Sequence, residues 1–183
     1  MLTSRLCLRP LQPTDAPVMA AYRSDPAVAR YQPWSSPYTL QDASTLIQEL
    51  TAADPATPGW FQYGIERRAD GALIGDLGVH LHHNGQQADI GFTLAVEHQG
   101  AGYGTEAVRR ILDHLLVERG LHKVSAECDA RNLASARLLT RAGFQLEGRL
   151  RSHTWIKGEW TDDLWFGVLA QEWSPQAAGS RHQ

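Results

Sequence analysis

The residues with the clearest capacity for chemistry are Gln99-Gly100-Ala101-Gly102-Tyr103-Gly104-Thr105, where three glycines fall within five positions just ahead of a helical pattern. Glycine loses the most backbone freedom on folding, so this run is a poor start for an ordinary helix. What it permits is close approach of another group to bare backbone. The first turn of a helix has N–H groups without internal partners, and the helix dipole adds partial positive charge there. Together these features suit a diphosphate; a Gly-rich turn without a ligand is the alternative. The loop lacks the Gly-Lys-Ser/Thr ending of a nucleoside-triphosphate site. It reads Gly-x-Gly-x-Gly, and Ala95 to Gln99 separate it from the preceding strand. A dinucleotide site places Gly-x-Gly-x-x-Gly directly after its strand. Glu127, at the end of the next strand, mimics the ribose-binding acid of such a site, so a small nicotinamide-dependent reductase stays open as a rival.

Other polar residues have two readings each. His80 and His82 fall on one strand face, with His83 at the turn. Two histidines at that spacing could ligate a metal, but no third ligand is visible. They read as solvated hairpin residues, and no metal is expected. Trp155, Trp160 and Trp165 could line a groove or pack a hairpin. Arg131, Arg137 and Arg141 are either a phosphate-binding set or a solvated helix face.

The elements that must position these residues follow from hydrophobic spacing. Arg5 to Leu11 alternates as a first strand. Thr14 and Asp15 open a short helix running to about Asp25. The stretch from Pro26 to Pro37 reads as loop. Thr39-Leu-Gln-Asp imitates a capping box ahead of a helix with Leu40, Ala43, Leu46, Ile47 and Leu50 on one face. Three strands follow, Trp60–Arg67, Ala72–Leu81 and Gln86–Leu94, separated by the hairpin signals Asp70-Gly71 and Asn84-Gly85. Val108, Ile111, Leu112, Leu115 and Leu116 mark a helix that stops at Gly120. Lys123 to Cys128 is a strand, and Asn132 caps a helix ending at Gly143. Phe144–Ile156 and Leu164–Ala170 are the last strands. Antiparallel strands feeding two α/β crossovers imply a mixed sheet with helices on both faces.

The 183 residues fit one domain; residues 1–173 are read as that domain and 174–183 as a frayed tail. Hydrophobic residues make up 43% and charged residues 20%, so the chain can build a core without disulfides or metal. The two cysteines, Cys7 and Cys128, read as apolar fillers in a reducing compartment. Seventeen basic against twenty acidic side chains, a net charge of −3, argue against broad nucleic-acid binding. With no apolar run of membrane length and no signal-peptide pattern, no membrane association is expected and a cytoplasmic location is.

Gln99-x-x-Gly102-x-Gly104, between a strand and a helix, resembles the coenzyme A motif of the GNAT superfamily of N-acetyltransferases. Ile90-Gly91-Phe92-Thr93-Leu94 is similar to the strand before that motif. Asn132-Leu133-Ala134-Ser135, with Ala142-Gly143-Phe144 and Glu147-Gly148, resembles the branch that includes ribosomal-protein N-terminal (alanine/serine) acetyltransferases. The likeness runs from about Arg5 to Leu169. It implies a GNAT-like α/β fold, with a mostly antiparallel seven-stranded mixed sheet. It also implies acetyl-CoA as co-substrate, and a primary amine (a protein N-terminus or a small molecule) that attacks it directly in a ternary complex. A homodimer is a further implication.

Carried onto this sequence, the resemblance gives backbone groups of Leu94, Ala95 and Val96 to the pantetheine arm. Gln99, Gly100, Ala101, Gly102, Tyr103, Gly104 and Thr105 would hold the pyrophosphate. Asn132 would bond the arm, with helix capping as its other reading. Leu94 N–H would polarise the thioester carbonyl, and Ser135 would assist the leaving sulfur. Relatives that acetylate ribosomal proteins carry a Glu a few residues past the Glu-Gly pair, where this chain has Thr154. Strand alternation sends the adjacent His153 to the opposite face. A water chain to Glu127 is the other route for the proton, and the base stays open. A coenzyme-binding sensor without catalysis is the second reading.

Overall fold

A computed structural model describes residues 1–51 and 53–175. Most of the expected tail, residues 176–183, lies outside the described residues. Among the described residues no helix is long and apolar enough to cross a membrane.

The alternating N-terminal segment forms β1 (Leu6–Pro10), antiparallel to β2 (Gly59–Arg67). The Asp70-Gly71 and Asn84-Gly85 turns work as read, with both glycines at positive φ. They join β2 to β3 (Ala72–Leu81) and β3 to β4 (Gln87–Leu94) as a meander. Next come β5 (Lys123–Asp129), β6 (Gln145–Ile156) and β7 (Glu159–Leu169). The sheet order is β1-β2-β3-β4-β5-β7-β6, parallel at β4–β5 and antiparallel elsewhere. This is the seven-stranded mixed sheet expected.

The helices are α1 (Ala16–Ser24), α2 (Pro26–Ala29), α3 (Leu40–Thr51), α4 (Tyr103–Leu112) and α5 (Leu133–Ala142). Thr39 and Asp42 cap α3 reciprocally: Thr39 N donates to Asp42 Oδ2 at 2.9 Å and Asp42 N to Thr39 Oγ1 at 3.1 Å. Leu73 and Ile74, neighbours in β3, enter different buried clusters because strand side chains alternate. Leu73 joins Met19, Tyr22, Ala43 and Ile47 of α1 and α3. Ile74 joins Val108, Ile111 and Leu112 of α4 and Leu139 of α5. The sheet is covered on both faces.

Two sequence readings need correction. The stretch 26–37 is not all loop: Pro26–Ala29 is a helical turn, with Asp25 Oδ1 accepting from Ala27 N at 2.8 Å. β7 starts at Glu159 rather than Leu164, because Thr161 and Asp163 look solvated in sequence yet are buried. The helix after the glycine loop widens into a π-helical stretch, Asp113–Glu118, before Gly120 ends it. There Asp113 accepts from Trp173 Nε1 at 2.8 Å, pinning the end of the domain.

One feature of the sheet positions the site. β4 and β5 pair only from Gln87↔Lys123 to Ile90↔Ala126. β4 continues to Leu94 and β5 to Asp129, so the two strands part like a fork.

Candidate active site

On one side of the fork lies a cleft of about 560 Å³ lined by Phe92, Thr93, Leu94, the glycine loop, Asn132 and Ser135. Its volume is within the usual range for small-molecule sites, about 300–1,000 Å³. Gly100 and Gly102 adopt φ of 75° and 83°, conformations costly for residues with a Cβ. Gly104 is needed for space instead: a Cβ there would meet Leu138 Cδ1 at 2.6 Å and Leu94 Cδ1 at 3.0 Å. The loop delivers the N-terminus of α4, whose first intrahelical bond is Glu106 N to Gly102 O at 3.0 Å. The amides of Tyr103, Gly104 and Thr105 precede it and have no intrahelical acceptor.

Leu94 is placed by an alternation rule. Ala95 N bonds Ile74 O on β3 at 3.0 Å. Successive residues of an antiparallel strand turn their amides in opposite directions, so Leu94 N–H points into the fork. Gln99 braces this turn, its Nε2 donating to Leu94 O at 2.9 Å. Ala95 is buried with both backbone groups engaged, its carbonyl accepting from His98 N at 3.0 Å. Ala95, Val96, Ala101 and Tyr103 are not among the cleft's lining residues. Ala101 O instead accepts from Arg5 Nη1 at 2.9 Å, and the Arg5 guanidinium lies 4.5 Å from the Tyr103 ring centre. Asn132 caps α5, its Oδ1 accepting from Ser135 N at 3.1 Å, and both face the cleft. Arg137 and Arg141 line it too, but Arg131 does not. Arg131 is committed to Asp129 at 2.7 Å and Glu159 at 2.8 Å.

A second cleft, also about 560 Å³, opens on the other side of the fork, and Tyr31 and Gln32 line both. Its wall carries Asp89, Glu127, Asp129 and Asp163, with no lysine or arginine among the lining residues. Asp129 is neutralised by Arg131; burial pushes its carboxyl up, but the Arg131 hydrogen bonds prevail and hold it below the usual range. Asp163 accepts from Thr154 Oγ1 at 2.5 Å. Glu127 is open to the cleft, and its carboxyl is raised above the ordinary range by partial burial and then by Asp163 and Asp89, with His153 opposing. Cys128 is pushed up to about 11, first by burial and then by Asp129, Asp163 and Glu127. Trp165, paired across from Glu127, leaves a buried indole N–H without a partner. Gly91 offers open space: a Cβ there would meet nothing within 4 Å.

The tryptophans divide. Trp165 and Trp60 line the second cleft, whereas Trp155 and Trp160 pack edge to face on the exposed β6–β7 hairpin. β6 is irregular between Leu150 and Thr154 and Ser152 has φ 47°, so strict alternation does not run through His153. His153 is exposed and lies edge-on to Trp165, 6.2 Å between ring centres. A third side chain with a metal-ligating atom close to His80 and His82, invisible in sequence, is Asp89 on the paired strand. The second cleft itself was missed in sequence because β2, β4, β5, β6 and β7 each give it only one to five residues.

The family model for the acetyltransferase (GNAT) domain matches residues 5–145. The chain is 30% identical over 179 residues to the uncharacterized N-acetyltransferase p20 of Bacillus licheniformis, covering 95% of this chain and 98% of p20. A shorter match, 27% over 86 residues, covers 47% of this chain and 44% of the ribosomal protein uS5-alanine N-acetyltransferase of Escherichia coli. Among solved structures, spermidine N-acetyltransferase from Vibrio cholerae in complex with CoA and spermine superposes with a TM-score of 0.79 at 23% identity, covering 93% of this chain and 98% of that one. The forked strands and the glycine loop thus stand in a known frame: the chain belongs to the GNAT family of acetyl-CoA-dependent N-acetyltransferases.

Proposed function

We propose that the chain transfers acetyl from acetyl-CoA to the primary amine of a cationic acceptor, by direct attack with both substrates bound. The observation that carries this reading is the fork itself. It joins a cleft ending on a helix N-terminus and two arginines to a cleft walled by carboxylates. The pyrophosphate would rest on the amides of Tyr103 to Thr105, where the dipole of α4 favours negative charge. Arg137 and Arg141 would take further phosphate charge. The arm would run along β4 past Leu94 and Asn132, bringing the thioester to the point where the strands part.

The acceptor enters from the carboxylate side. Asp89, Glu127 and Asp163 lack a lysine or arginine partner among the described residues, so the cleft favours positive charge. At the fork the neutral amine attacks the thioester carbon, forming C–N. The oxyanion accepts from Leu94 N–H. Glu127 receives the amine proton, directly or through a water held by Trp165 Nε1. C–S cleavage then releases the coenzyme thiolate, which accepts a hydrogen bond from Ser135. Holding both reactants in line supplies about 7–11 kcal/mol of the barrier reduction. A covalent route through Cys128 is disfavoured, because a thiol near 11 stays protonated at neutral pH.

Release of coenzyme A assayed against diamines, basic peptides and uncharged primary amines tests the reading. Cationic amines are expected to show the higher kcat/KM. Equal rates for neutral and cationic acceptors would refute the acceptor class, and absence of turnover with all of them would favour a coenzyme-binding sensor.

A further inference from the structure

The β3–β4 hairpin holds a cluster of which only Asp89 faces the acceptor cleft. His80 and Asp89 are in register across the hairpin, and the His82 ring lies 5.3 Å from that of His80. Asp89 Oδ2 is 2.7 Å from His82 Nε2 and 3.5 Å from His80 Nδ1. Candidate ligand atoms of all three residues lie within 4.8 Å of one another. Trp60 stacks on His80 at 5.1 Å and 27°, which fixes the plane of that imidazole.

We propose that His80, His82 and Asp89 bind a divalent cation of the zinc type, and that its occupation weakens acceptor binding in the adjoining cleft. Two imidazole nitrogens and one carboxylate oxygen are a donor set for zinc and its borderline neighbours. Zinc bound at about 2.0–2.1 Å in a tetrahedron sets its ligand atoms about 3.3 Å apart. The His80–Asp89 separation already matches this. His82 needs to withdraw by about half an ångström and present the Nε2 lone pair in place of its N–H, a change of tautomer within a half-exposed side chain. Three protein ligands leave a fourth position for water. The link to the cleft is Asp89, which belongs to both. A dication on its carboxylate offsets two of the three negative charges that draw a cationic amine. This second half rests on the proposed acetyl transfer; the first half does not.

The test is calorimetric titration of the full chain with zinc chloride, repeated for His80→Ala and His82→Gln. The glutamine keeps a hydrogen-bond donor near Asp89 but removes the imidazole. One saturable site per chain is expected, weakened at least tenfold in each variant. No saturable binding to the wild type, or unchanged binding to both variants, overturns the site. The KM for a cationic amine is then measured with and without zinc, reading acetylated product by mass because free coenzyme thiol binds zinc. A several-fold rise in KM is expected for the wild type and none for His82→Gln; an unchanged wild-type KM overturns the coupling. If no amine is acetylated, the transferase reading has failed while calorimetry still decides the metal site.

Discussion

Glu127 illustrates how one side chain can be tuned against stability. Its carboxyl is raised by partial burial and by Asp163 and Asp89, so the folded protein binds that proton more tightly than the unfolded chain does. Once ionised it destabilises the fold, and this penalty shrinks as pH falls through the raised value and is gone below the ordinary glutamate value. Glu127→Gln should therefore raise the melting temperature near pH 7, with the difference closing toward acid in parallel thermal scans. The same substitution should cut kcat by about 10²–10⁴-fold, the usual worth of a general base. It should also remove a limb of the pH–rate profile that rises above the ordinary glutamate range. Gly102→Asp adds a Cβ at positive φ and a negative charge at the proposed pyrophosphate site. A markedly weaker coenzyme A affinity is expected by calorimetry, and an unchanged one would count against the loop.

The segment linking α1 to α3 hangs over the junction of the two clefts, and one buried network anchors it. Asp76 on β3 and Arg23 on α1 are 1% and 5% exposed and pair at 2.8 Å. Tyr22 and Gln62 also donate to Asp76. The Arg23 guanidinium lies 4.3 Å from the Trp34 ring centre, and Trp34 Nε1 donates to Arg23 O at 3.0 Å. Removing one partner of a buried pair strands the other charge. Asp76→Ala is expected to cost about 3–5 kcal/mol in denaturant unfolding. Gly91 on β4 is the opposite case, since its missing side chain leaves open space. Gly91→Val should fold with near wild-type stability yet raise the acceptor KM, because the new side chain fills the cleft floor. A loss of stability without a change in KM would contradict that placement.

Both clefts depend on two strands whose separation is kept by the layers around them, α4 and α5 on one side and α1 and α3 on the other. A ligand that spans the fork and binds only the folded chain adds stability by mass action. Acetyl-CoA at a hundredfold excess over its Kd should contribute about 2.7 kcal/mol, or about 5–11 °C in melting temperature for a chain of this size. NADPH should give no such shift; the reverse result would revive the nicotinamide reading.

Local rules in the sequence were enough to determine the hairpin turns at Asp70-Gly71 and Asn84-Gly85, the Thr39–Asp42 cap, the Asn132 cap and the glycine loop at the mouth of α4. Each depends on a few neighbouring residues whose backbone chemistry leaves little choice. The tertiary structure alone decided where β4 and β5 part, because strand divergence depends on how whole layers pack. It alone brought Asp89, Glu127 and Asp163 from three strands to one wall, and Asp89 to His80 and His82. Thr161 and Asp163 read as solvated because their burial comes from partners distant in sequence. The β6 irregularity escaped detection for a related reason: a bulge shifts the period of two without leaving a residue pattern of its own.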